Sequence, residues 1–98
     1  MTINKTQENE KLTVAIVGRL DTTTAPQLEA ELKSSLDGVK ELVFDIKELE
    51  YISSAGLRVL LTAQKTMNKQ GKMTVTGAGE AVMEIFEVTG FVDILNIK

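Results

Sequence analysis

Apolar and polar residues alternate along Leu12-Thr13-Val14-Ala15-Ile16-Val17 and stop at Gly18, a period-two, β-branched run that predicts a strand. The stretch from Ile3 to Asn9 is more polar and predicts a weaker edge strand, turning near Glu8-Asn9-Glu10 to pair with the first. From there the period changes. Leu28, Leu32 and Leu36, with Ala25 a turn earlier, mark one face of a helix. Asp21-Thr22-Thr23-Thr24 supplies cap candidates ahead of it, Pro26 suits its first turn, and Asp37-Gly38 closes it with glycine in a left-handed cap. Glu41 to Ile46 is a short apolar run that predicts a further strand. Ser53 or Ser54 then opens a second helix, on which Leu57, Leu60, Leu61, Gln64 and Met67 recur at helical spacing until Gln70-Gly71. Lys72 to Thr76 predicts another strand and Gly77-Ala78-Gly79-Glu80 a turn. Val82, Ile85, Phe86 and Val88 belong to a third helix closed by Thr89-Gly90, and the apolar tail from Phe91 to Ile97 predicts a last short strand.

The order is strand, strand, helix, strand, helix, strand, helix, strand. Strands separated by single helices make right-handed crossovers and pair in parallel, while the first, joined by a tight turn, pairs antiparallel at an edge. The expected fold is therefore α/β, one domain over residues 1–98, with a mixed and mostly parallel sheet. Partners of such sheets favour the carboxyl ends of the strands. The loops at that end are Gly18 to Thr23, Lys47 to Ser54 and Gly77 to Glu80.

Composition narrows the chemistry. Aromatic residues make up only 4% of the 98, so the core is aliphatic, with Met67, Met73 and Met83 filling gaps. A net charge of −3 with scattered single lysines argues against a nucleic-acid surface, which needs clustered Lys or Arg. No apolar run approaches the roughly 18 residues of a membrane helix. Met1 to Gln7 lacks the apolar region of a signal peptide, so a cytoplasmic protein without membrane insertion is expected. Histidine and cysteine are both absent. A serine nucleophile has none of its usual partners here, no metal-ligating cluster exists, and no cofactor is implied, so enzymatic activity is not expected. Gly77-Ala78-Gly79 lacks the Lys-Ser/Thr that completes a phosphate-binding loop.

What stands out is the serine pair in Tyr51-Ile52-Ser53-Ser54-Ala55-Gly56-Leu57-Arg58, at the junction of a loop and a helix. By spacing alone the two serines read as helix caps. A serine that nothing activates, yet is presented at a helix start, also suits a modification switch. Asp21 reads either as a cap or first-turn charge for its helix or as a contact to a partner. Gly56 permits close helix packing. Arg58 and Thr62 flank the leucine stripe as solvated residues, or as rim residues if the loop above them docks a partner.

Taken together these segments resemble the STAS domain, and within it the bacterial anti-sigma factor antagonists, over nearly the whole chain. Val17-Gly18-Arg19-Leu20-Asp21-Thr22 is similar to the family's G-x-L/I-D element. Val43 to Ile52 is similar to its apolar strand and following loop, and Ser53-Ser54-Ala55-Gly56-Leu57 falls on its D-S-S/T-G-L. The aspartate of that motif is replaced by Ser53 and the second S/T by Ala55. The resemblance implies partner switching. An unphosphorylated antagonist binds an anti-sigma factor that is also a Ser/Thr kinase, is inactivated by phosphorylation, and is restored by a PP2C-type phosphatase. It places the phosphoacceptor at Ser54 and the partner-binding surface at Asp21, Thr22, Ser53, Ser54, Gly56 and Arg58. The competing reading is a STAS subunit of a transport or lipid-trafficking assembly, a protein-binding module that needs no phosphorylation. An enzyme or nucleotide-binding protein ranks below both.

Overall fold

In a computed structural model that describes all 98 residues, β1 (Thr2–Glu8) and β2 (Lys11–Leu20) form an antiparallel hairpin. Asn9, at φ 56, supplies the left-handed turn residue between them. Helix α1 (Ala25–Ser35) follows, then β3 (Glu41–Asp45), β4 (Leu49–Ile52), α2 (Ser54–Gln70), β5 (Lys72–Thr76) and α3 (Glu80–Thr89). The sheet runs β1-β2-β3-β5, with β4 paired to β2 beyond the end of β3. Every pairing except β1–β2 is parallel, as the single-helix crossovers require.

The alternation in the strands sorts the two faces. Leu12, Val14 and Ile16 of β2, Leu42 and Phe44 of β3, and Met73 and Val75 of β5 are buried. Their neighbours Thr13, Ala15, Val43, Thr74 and Thr76 are half-exposed on the other face. Leu28 and Leu32 of α1, Leu57, Leu60 and Met67 of α2, and Val82 and Phe86 of α3 join the buried face in one cluster. The sheet is thus covered by helices on one side only. Met67 and Met73 fill that cluster, while Met83 packs against its edge.

Four details differ from expectation. Residues 49–52 form strand β4 where a loop was expected. Leu49 and Ile52 are buried and Glu50 is exposed, and the strand exists because β2 runs on to Leu20 and offers it an edge. The tail is not a strand. Gly90 takes φ 80 and is followed by a 3-10 turn, Phe91–Asp93, after which a single bridge joins Ile97 to Val75. Val88 lies on α3, but on its outer side, 81% exposed. Gly38 is left-handed at φ 80, two residues past the C-cap Leu36, so it turns the chain toward β3 without capping α1 itself.

The turn from α2 into β5 is tightly constrained. A Cβ on Gly71 would stand 1.9 Å from the carbonyl oxygen of Lys40, so only glycine lets this turn cross the start of β3. The adjacent amide of Lys72 donates to that same oxygen at 2.9 Å.

Candidate functional site

The geometry of the site follows from two strands that end together. In the parallel β2–β4 pair, Leu20 is opposite Ile52, so the next residues, Asp21 and Ser53, emerge side by side. The amide of Ser53 donates to the carbonyl of Leu20 at 2.8 Å, tying the two exits to each other. The Lys47–Ser54 connection is therefore a braced strand end, not a free loop. Arg19 and Tyr51, paired across β2 and β4, reinforce it with the guanidinium 4.5 Å from the ring centroid.

Ser53 is the N-cap of α2. Its extended backbone (φ −94, ψ 175) and its Oγ, which accepts from the Gly56 amide at 3.3 Å, do the capping that Asp, Asn or Ser performs at this position. A serine in the place of the motif's aspartate thus leaves the helix start intact. Ser54 is the first residue of the helix, exposed and free of side-chain hydrogen bonds to the protein. Gly56 is buried where α2 crosses the two strand ends. A Cβ there would meet Leu20 Cγ at 2.7 Å and Ile52 Cγ1 at 2.8 Å. Its role is close packing, which holds the first turn of α2 down against β2 and β4.

Asp21 is a cap of its own loop. Its Oδ1 accepts from the Thr23 hydroxyl at 2.7 Å and from the amides of Thr23 and Thr24 at 3.0 and 3.1 Å. The N-cap of α1 itself is Thr24, whose Oγ1 accepts from the Asp21 amide at 2.8 Å. The Thr23 hydroxyl above all holds the Asp21 carboxyl below its ordinary value of 3.8; desolvation, the next largest effect, pushes the other way, and the amides of Thr23 and Thr24 with the Thr24 hydroxyl help to outweigh it. Because the folded value is depressed, the contribution to stability is complete above 3.8 and is lost as pH falls through the folded pKa. Asp21→Asn, a neutral isostere, is accordingly expected to be less stable than wild type near neutrality. The gap should close below 3.8 in denaturant titrations at successive pH values. Thr22 is exposed at the tip of the same loop.

Two shallow grooves flank the start of α2, and Arg58 borders both. One, of about 310 Å³, is lined by Ser54, Leu57, Arg58, Leu61, Thr89 and Phe91. The other, of about 260 Å³, lies toward α1 and includes Thr22, Pro26, Ala55 and Arg58. A deeper cleft of about 240 Å³ lies further along the α1–α2 seam over Leu32, Leu36 and Ala63, away from the serine pair. No group of His, Cys, Asp or Glu side chains is placed to hold a metal ion.

The residues singled out from the sequence, Asp21, Thr22, Ser53, Ser54, Gly56 and Arg58, thus share one end of the molecule. Gly56 acts there from beneath, not at the surface. Arg19 and Tyr51 were not singled out, because their pairing depends on β4, which has no strong local signal.

The STAS domain family model matches residues 2–98. A relative from Bordetella bronchiseptica, BtrV, described as a candidate anti-sigma factor antagonist, is 39% identical over 88 residues, covering 88% of this chain and 76% of its own. The chain is a STAS domain protein of the anti-sigma factor antagonist family. Among solved structures, an anti-sigma factor antagonist from Mycobacterium paratuberculosis superposes with a TM-score of 0.88 at 25% identity, covering 98% of this chain and 83% of that one. The Bacillus protein SpoIIAA, solved in its phosphorylated form, shares the STAS fold with a TM-score of 0.77 at 14% identity, covering 99% of this chain and 91% of its own. No helix of the STAS protein is long and apolar enough to cross a membrane.

Proposed function

We propose that this STAS protein is a cytoplasmic anti-sigma factor antagonist. It docks an anti-sigma factor with Ser/Thr kinase activity on the face built from the Asp21 loop and the start of α2. Phosphorylation of Ser54 by that kinase releases it, and a PP2C-type phosphatase restores it. Binding, not turnover, is the activity.

The observation that carries this reading is the placement of Ser54. It is exposed at the first position of a helix whose cap, Ser53, is hydrogen-bonded to the strand end beside Asp21. A kinase can reach its hydroxyl without unfolding anything. A phosphate there carries about −1.5 to −2 charges and lies at the positive end of the helix dipole, so the folded domain tolerates it. The effect falls on the partner, whose docking surface then meets a bulky anion that must be desolvated. The relatives described as anti-sigma factor antagonists support the same direction. The phosphorylated form of SpoIIAA supports the fold's capacity to hold such a group.

Incubation with ATP and the anti-sigma factor kinases of the same genome, followed by mass-spectrometric mapping, tests this. The expected product carries one phosphate, on Ser54. Binding with no modification by any of these kinases would leave a non-phosphorylated docking module in its place.

A further inference from the structure

We infer that Arg58 is an internal clasp for a phosphate on Ser54, drawing its guanidinium off the docking face when the serine is modified. The inference rests on the reading of Ser54 as the phosphoacceptor. Arg58 follows Ser54 by four residues on α2, a spacing at which helical β-carbons stand about 5–6 Å apart. Helical side chains lean toward the amino terminus, so Arg58 reaches back toward Ser54 and not away from it. The two side chains line the same groove.

Arg58 is exposed and takes part in none of the four ion pairs of the fold, nor in the single cation–π contact, which belongs to Arg19. The nearby carboxylates do not compete for it. Glu29 borders the neighbouring groove with Arg58 but makes no ion pair with it. Asp21 is occupied by Thr23, Thr24 and, at 4.0 Å, Arg19. A free guanidinium one turn from a phosphoserine forms charge-assisted, bidentate hydrogen bonds that lysine matches only as a point charge. Phosphorylation then changes the docking face twice, by adding an anion and by withdrawing a cation that the unmodified face presents to its partner.

Phosphoserine encoded genetically at position 54 needs no kinase, and its second ionisation can be followed by phosphorus NMR. In the otherwise native protein this pKa should lie about half a unit below that of the Arg58→Gln form, equivalent to about 0.7 kcal/mol. The gap should narrow at high salt, and Arg58→Lys should recover part of it. Equal values in native and Arg58→Gln proteins would overturn the clasp while leaving the partner switch untouched. Conversely, a full gap in a protein that no kinase modifies at Ser54 would keep the clasp and remove the switch.

Discussion

Ser54→Asp is expected to weaken binding to the anti-sigma factor by on the order of a hundredfold, about 2.7 kcal/mol, while Ser54→Ala binds as tightly as wild type. The exposed hydroxyl of Ser54 makes no hydrogen bond that holds the fold, so removing it changes nothing the domain depends on. A carboxylate at the same position is a different matter for the partner, because a charge, even one drawn toward Arg58, must be desolvated at the interface, and against a partner surface that offers it no matching cation this costs several kcal/mol. An aspartate carries only one of the charges of a phosphate, so the effect is a lower bound for phosphorylation itself. At the first position of α2 the new carboxylate faces the positive end of the helix dipole, and the melting temperature should hold or rise slightly. Titration calorimetry beside thermal denaturation separates the two effects. A loss of affinity accompanied by a loss of folding would point to damage, not to a switch.

Gly71→Ala is expected to give the largest loss of stability, about 3 kcal/mol or more, lowering the melting temperature on the order of 15 °C. The added methyl would lie 1.9 Å from Lys40 O and 2.6 Å from Lys40 C. These are backbone atoms, so no rotamer change relieves the clash. The turn must shift and take with it the Lys72 N–H to Lys40 O hydrogen bond of 2.9 Å that opens β5 beside β3. Gly79→Ser serves as the control. It has nothing within 4 Å of its Cβ and stands at the N-cap of α3, where serine is favoured, so its stability should not fall. A similar melting temperature for Gly71→Ala and Gly79→Ser would contradict this view of the α2–β5 turn.

Much of this architecture was legible because period and punctuation agree. The alternation over Leu12 to Val17, the leucine stripes of α1 and α2, and Gly71 and Gly90 at helix ends each state a local preference that the fold keeps. Strand β4 was not legible for a physical reason. Its four residues follow the charged Lys47-Glu48, and they become a strand only because the far end of β2 extends beyond β3. The tail misled in the opposite way. Phe91 to Ile97 is apolar enough for a strand, but left-handed Gly90 starts an i to i+3 turn, and only Leu95 is buried.

The site shows the same division. Its residues were recognisable from Asp21 and from the serine pair with Gly56. That their loops share one end of the sheet was expected; the side-by-side exit of Asp21 and Ser53 was not, since it depends on β4 bringing Ser53 level with Asp21. The structure also separates roles that spacing left open. Ser53 is the cap of α2, Ser54 is left free, and Asp21 caps its own loop through Thr23 and Thr24.

The most direct test is to titrate the anti-sigma factor with two preparations of the same protein, one unmodified and one carrying phosphoserine at position 54. The unmodified form should bind saturably, and the phosphorylated form should remain folded yet bind at least a hundredfold more weakly, about 2.7 kcal/mol. Equal affinity of the two preparations would contradict the assignment of Ser54 as the switch.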